Sequence, residues 1–239
     1  MATKTCVLHI FTIISICLPF TKCCTHFYYP AVFNFSDSNS DTGDLVSAGI
    51  ELINLPYGHT YFGEPSGRYS DGRLVVDFLM DAMDLPFLNP YLGSEGLPSF
   101  RKGCNFAVAA STILPATAAS VTQFSFGIQV AQFLRFKARA LDLIAKGKKF
   151  EKYLPTEDYF HKGLYMFDIG QKVLAVAFYS KSLDKIIASI PTILAEFEAG
   201  VKKLYDQGGR NFSIHNQVLS DAWRRMLPSL ELTHQSFMS

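Results

Sequence analysis

Phe35-Ser-Asp-Ser-Asn-Ser-Asp-Thr-Gly43 is the stretch of this 239-residue chain whose residue types and spacing could do chemistry. Ser38 stands in it just after Ala31 to Phe35, a short apolar run that reads as a buried strand ending in a polar turn. A serine at such a corner can present its hydroxyl to a cleft and its own backbone N–H to a developing oxyanion, the two functions acyl transfer requires. Clusters of Ser, Asp, Asn and Gly after strands also make ordinary turns and helix caps. Taken alone, the segment leaves both readings open.

The elements that must position Ser38 follow from hydrophobic periodicity. Leu74, Val75, Phe78, Leu79 and Ala82 recur at helical spacing, with Ser70 upstream as the expected cap. Phe133, Phe136, Ala140, Leu141 and Ile144 form a second helical face that ends near Gly147. Leu164 to Ile169 reads as another buried strand. Leu183, Ile187, Ile190, Leu194, Phe197, Val201 and Leu204 then make one apolar stripe on a helix stopped by Gly208-Gly209. Pro191 costs roughly 3 kcal/mol inside a helix, which predicts a break or restart at Ser189. Arg210 to His215 reads as a further strand. This alternation predicts an α/β domain with a parallel sheet, its functional groups gathered at the carboxyl ends of the strands.

Bulk properties exclude several classes. A hydrophobic content of 49% is ample for a core, and 22 Lys and Arg against 21 Asp and Glu give no basic excess for nucleic acid. Residues 1–24 have the layout of a secretory signal peptide: Lys4, the apolar run Cys6 to Phe20, then small or polar residues. An uncleaved anchor is the alternative, and no later stretch suits a stable membrane span. Of five cysteines, only Cys104 lies clear of the signal and its cut, so no disulfide framework is expected. The scattered histidines offer no metal site. Asn34-Phe-Ser36 and Asn211-Phe-Ser213 match the glycosylation acceptor pattern but fall in predicted strands, which argues against occupancy.

The Ser38 segment is similar to the F-x-F-G-D-S-x-x-D-T-G block of plant GDSL esterases/lipases, also called SGNH hydrolases. Further blocks match in family order: Gly67-Arg-Tyr-Ser-Asp-Gly-Arg-Leu-Val-Val-Asp-Phe78, Gly103-Cys-Asn-Phe-Ala107 and Tyr165-Met-Phe-Asp-Ile-Gly-Gln171. The resemblance implies a flavodoxin-like three-layer α/β/α domain that hydrolyses carboxylic esters, small-molecule or lipid, through an acyl-serine on Ser38. It implies no metal or organic cofactor, and a secreted, extracellular or cell-wall location. The oxyanion would be held by the Ser38 N–H, by a glycine N–H at the position of Ala110, and by an Asn side chain at the position of Lys172. Some plant members near this pattern are named as fucosidases, but paired acids placed for glycosidic cleavage are not evident here.

The departures fall on the chemistry. Ser36 replaces the glycine before Asp37 and is expected to strain the corner. Ala110 keeps an N–H but is penalised if a positive φ is required. Lys172, in Gly170-Gln-Lys-Val173, carries a flexible ammonium in place of a fixed amide and is expected at the surface or displaced. No general base is found: Asp158-Tyr-Phe-His161 spells the family's D-x-x-H upstream of its proper place, and neither His215 nor His234 follows an aspartate by three residues. From Gln217 the likeness stops. The expected organisation is therefore a signal over 1–24, a partial hydrolase domain over 25–216 and a divergent tail over 217–239. The expected function is a serine ester hydrolase with impaired or no activity. The alternatives are a non-catalytic acyl- or glycan-binding relative and a truncated splice or gene-model product.

Overall fold

The computed structural model describes residues 28–94, 96–115, 122–172 and 183–215. Its centre is a sheet of four parallel strands, β1 (Val32–Ser36), β2 (Gly103–Asn105), β3 (Leu164–Asp168) and β4 (Asn211–Ile214), in the order β2-β1-β3-β4. The register aligns Val32 with Gly103 and Leu164, and Leu164 with Asn211. All five residues of β1 are buried, as an apolar run covered on both faces should be.

Side chains alternate across the strands with period two and so define the layers. On one face Val32 and Met166 pack with Leu74, Val76, Met80 and Leu88 around helix α2 (Val75–Ala82), which follows the short helix α1 (Asp44–Ser47). On the other, Phe33, Phe35, Tyr165 and Phe167 meet Phe126, Val130, Phe133 and Phe136 of α3 (Phe126–Lys146), Phe160 of α4 (Glu157–Lys162), and Phe197, Val201 and Leu204 of α5 (Leu183–Asp206). The expected three-layer α/β/α arrangement is thus present. Phe33 alone has ring centroids at 5.4 Å from Phe133, 5.1 Å from Phe160 and 5.2 Å from Tyr165. Such pairs contribute about 0.5–1.5 kcal/mol each beyond their area. α5 comes so close to α3 that a Cβ on Gly200 would fall on the ring of Phe126.

Two local expectations fail. Ser70 does not cap α2; its Oγ accepts the Gly72 N–H at 3.2 Å, while Asp77 accepts the Leu74 N–H at 2.9 Å. Asp77 also takes two hydrogen bonds from Arg68, both 2.8 Å, in a buried pair that turns the Asp77 side of α2 inward. Val75 and Phe78, expected inside, are left exposed. The predicted break at Ser189 is also absent, and α5 continues through Pro191. Pro191 and Ile187, whose carbonyl loses its partner, both face solvent, so water can satisfy the freed group.

Both glycosylation patterns do lie in strands. Asn34 is buried in β1, its amide nitrogen donating to Ser40 Oγ at 2.8 Å and Asn105 Oδ1 at 2.7 Å, which closes it to a glycan. Asn211 donates from β4 to the Lys162 carbonyl at 3.1 Å. Among the described residues no helix is long and apolar enough to cross a membrane. Residues 1–24 and 217–239, expected as signal and tail, lie outside the described residues.

Candidate active site at the carboxyl edge of the sheet

β1 delivers Ser38 to the carboxyl edge. Residues 37–41 turn tightly, with the Ser40 and Asp41 N–H groups donating to the Asp37 carbonyl at 3.2 and 3.1 Å. Ser38 is half-buried in that turn. Three buried polar side chains fix it from below and beside. Asn34 holds Ser40, as above. Asn105 donates to the Ser40 carbonyl at 2.6 Å and to Thr42 Oγ1 at 2.9 Å. Asp41 accepts N–H groups from Gly43 and Asp44 at 2.7 Å each, from Leu45 at 3.3 Å and from Ala109 at 2.7 Å, which ties the third sequence block to the first. The second block is seated by a glycine contact: Gly67 lies at φ 73, and a Cβ there would sit 2.7 Å from Gly43 Cα.

Ser36 does not strain the corner. It remains in strand conformation, outside the positive-φ positions, so its Cβ meets no penalty. Its hydroxyl donates to the Asp168 carbonyl at 2.5 Å and so joins β1 to β3. Gln129 of α3 clamps the same peptide: its Oε1 accepts the Ser36 N–H at 3.0 Å, and its Nε2 donates to the Ser36 carbonyl at 2.8 Å.

Ala110 follows Ala109 in a turn at φ 64, a left-handed conformation that costs an alanine about 1–2 kcal/mol. The Asp41 bond to Ala109 is among the contacts that hold that turn beside the Ser38 loop. Gln171 reaches the same loop, its Oε1 accepting from Asn39 Nδ2 at 2.9 Å. Lys172 is half-buried next to this contact, close enough for its charge to lower the pKa of Asp37. Burial nevertheless dominates at Asp37 and pushes its carboxyl up to about 6, with the Asn39 N–H opposing and the charge of Asp168 assisting. Burial also raises Asp41 above the usual carboxylate range despite its four N–H donors, and raises Asp44 well above it.

The upstream D-x-x-H is remote from this edge. Asp158 pairs with Lys162 at 2.9 Å, and His161 lies 3.2 Å from Glu157 and 3.0 Å from the Gly208 carbonyl. α4 leads into the first residue of β3, which puts His161 at the amino edge, about 17 Å away along a five-residue strand. His215, by contrast, directly follows β4 at the carboxyl edge, with its Nδ1 3.7 Å from Asp168 Oδ2. The sequence rule of an aspartate three residues ahead could not find this pair, because the acid comes from the neighbouring strand. Among the described residues no side chain hydrogen-bonds to Ser38.

Asn34, Asp41, Asn105 and Gln129 were not singled out as site residues by sequence. Their signal is polarity where the pattern demands apolarity: Asn34 interrupts a buried strand, and Gln129 sits on the stripe of Phe126, Val130 and Phe133.

The sequence is similar to those of known proteins. The chain is 65% identical over 192 residues to a GDSL esterase/lipase of Arabidopsis thaliana, covering 80% of this chain and 47% of that protein. It is 45% identical over 193 residues to an esterase of Hevea brasiliensis, covering 79% and 49%. An Arabidopsis thaliana protein named alpha-L-fucosidase 3 is 41% identical over 194 residues, covering 79% and 52%. The chain thus spans about half the length of the curated relatives it matches. The nucleophile turn, the blocks docked around it and a family-wide match over residues 32–228 point one way: the chain belongs to the GDSL-like lipase/acylhydrolase family.

Proposed function

We propose that this chain carries a serine ester hydrolase site with Ser38 as nucleophile, and that it turns over carboxylic esters slowly or not at all. The reading rests on the surroundings of Ser38, a half-buried serine in a braced turn to which no described imidazole is hydrogen-bonded. Attack by its hydroxyl oxygen on an ester carbonyl creates an oxyanion and releases a proton. The alkoxide leaving group needs that proton to depart as an alcohol. A histidine ordinarily carries it, and template serine hydrolases lacking a triad member keep only about 10³–10⁴-fold catalysis over water.

His215 is braced by an acid but follows β4, which lies two strands from β1. It is not hydrogen-bonded to Ser38, so no proton path from the Ser38 hydroxyl to its ring is formed. The Ser38 and Ala110 N–H groups are the proposed oxyanion donors. Lys172 occupies the place of the third, and loss of one such donor costs about 10²–10³ in rate. The substrate class is a small-molecule or lipid ester met outside the cell, with residues 1–24 acting as the secretory signal.

The test compares short-chain nitrophenyl ester turnover by the wild type and by Ser38→Ala. The expected result is no difference between them. Turnover that disappears in Ser38→Ala overturns the claim of near-inactivity.

One observation favours a second, non-catalytic reading. A cavity of about 410 Å³ beside Thr42 and Gly43 is lined by uncharged groups, among them Ser47, Ser66, Asn89 and Ser94. It suits a neutral acyl or glycan ligand held without turnover. Calorimetric titration with neutral glycans and acyl amides tests it, and absence of heat with both removes it.

A further inference from the structure

Tyr91 and Leu92 pass beside β2 and face α3 across a cavity of about 620 Å³. That volume falls within the roughly 300–1,000 Å³ of small-molecule sites. From α3 the cavity is lined by Ile128, Ala131, Gln132 and Arg135, which at spacings of three and four share one face of the helix. The opposite wall is held firmly. The Tyr91 N–H donates to the Asn105 carbonyl at 2.8 Å, the Leu92 N–H donates to Asp44 Oδ1 at 2.6 Å, and the Tyr91 ring packs 5.2 Å from that of Phe106. Ser38, Ala110 and Lys172 do not line this cavity.

Two of its groups lack the partners that their chemistry asks for. Gln132 Oε1 is buried and accepts no hydrogen bond among the described residues, where buried polar atoms are ordinarily paired. Arg135 is exposed, and no carboxylate among the described residues forms an ion pair with it. Burial raises the Tyr91 hydroxyl above its ordinary range and the Arg135 charge opposes that rise, so the guanidinium stands near the phenol. The rest of the lining, Leu92, Ile128 and Ala131, is apolar. These groups fall in order along α3: from Arg135, Gln132 comes after about 4.5 Å and Ile128 after about 6 Å more. Gln129 meets Ser36 at the end of β1 and Phe133 meets Phe33, so the Arg135 end points away from the Ser38 edge.

We propose that this cavity binds a free β-hydroxy carboxylic acid with a medium-length aliphatic tail. The carboxylate takes paired hydrogen bonds from Arg135, the hydroxyl donates to Gln132 Oε1, and the tail lies along Ala131, Ile128 and Leu92. A β-hydroxyl stands two carbons from the carboxyl carbon, which matches the short step from Arg135 to Gln132. The longer step to Ile128 accommodates about five further carbons. An ester of the same acid has no charge for Arg135, and an acid without the hydroxyl leaves Gln132 unpaired, so the site discriminates at both ends. It does so whether or not Ser38 turns over.

Calorimetric titration with racemic β-hydroxyoctanoate, its methyl ester and octanoate tests the proposal, the ester being titrated into Ser38→Ala so that hydrolysis cannot intervene. The hydroxy acid is expected to bind at one saturable site, equally in the wild type and in Ser38→Ala. The ester, and the hydroxy acid on Arg135→Gln, should bind about tenfold or more weakly. Octanoate should bind about threefold to tenfold more weakly than the hydroxy acid, a difference that Gln132→Met should abolish. Gln132→Met should also raise the melting temperature, because it removes an unpaired buried carbonyl while keeping the volume. Absence of saturable binding by the hydroxy acid overturns the proposal. So does binding that Arg135→Gln leaves unchanged, an ester that binds as well as the acid, or a hydroxyl that gives no advantage. Binding lost in Ser38→Ala would place the acid at the carboxyl edge and overturns it as well.

Discussion

Replacing Asp37 with asparagine should stabilise the protein at neutral pH and do nothing in acid. Asp37 is 2% exposed, and its carboxyl titrates at about 6 in the folded protein against 3.8 in a free chain. Between those values the folded state keeps a proton that the unfolded state has released, so stability falls as pH rises. The contribution is fully present below 3.8 and lost as pH passes about 6. A gap of about two units at 1.36 kcal/mol per unit makes the loss about 3 kcal/mol. Asparagine keeps an oxygen for the Asn39 N–H, now 3.1 Å away, and removes the titration. Asp41 and Asp44 steepen the pH dependence in the same direction, but they act on both proteins and cancel in the difference. Urea unfolding followed by circular dichroism should show Asp37→Asn more stable by about 3 kcal/mol near pH 7.5 and equal near pH 4. A difference that does not change with pH, or a variant weaker at neutral pH, would refute the reasoning. Either result would mean that Lys172 and the Asn39 N–H outweigh burial.

Gln129→Leu, nearly isosteric, should destabilise by about 2–4 kcal/mol in thermal or urea unfolding, because it strips a buried N–H and weakens the pairing of a buried carbonyl at Ser36. Lys172→Asn should raise the rate of Ser38 acylation by an activated nitrophenyl ester, by at most the 10²–10³ that one oxyanion donor contributes. The acyl-enzyme burst measures it, and an unchanged burst would mean that position 172 does not face the oxyanion.

The layers of the fold were legible because they rest on periodicity. The apolar run at Ala31 to Phe35 and the stripe from Phe197 to Leu204 each have one physical solution, burial against the other. Positions fixed by tertiary polar contacts were not. Ser70 looks like a cap, but Asp77 is recruited by Arg68 from nine residues upstream and takes over both the capping and the facing of α2. Pro191 carries a local penalty that the sequence states correctly, yet an exposed location lets water meet it. Ser36 read as a strained substitute for glycine, whereas its backbone is plain strand and its hydroxyl has found a carbonyl on β3. At the site, sequence order named Ser38 and the positions of Ala110 and Lys172. It missed the Asp168–His215 pair because the two residues meet only across strands.

Positioning and activation of Ser38 are separable in this fold. The turn is held by Asn34, Asn105 and Gln129, drawn from β1, β2 and the start of α3, and by its own Asp41, all four buried. None of these contacts requires a histidine, so the Ser38 turn is held whether or not an imidazole is hydrogen-bonded to it. The same edge carries the buried Asp37, whose charge, present above about pH 6, would stabilise an imidazolium but oppose an oxyanion or an alkoxide on Ser38. With a histidine present, that acidity works for the reaction by favouring the protonated base in the transition state. Without one, it works against the serine by raising the energy of the anion it must approach. A site with the turn but no hydrogen-bonded imidazole therefore keeps at most the residual catalysis that positioning and oxyanion donors supply, and the family likeness of the Ser38 block is no measure of its chemistry.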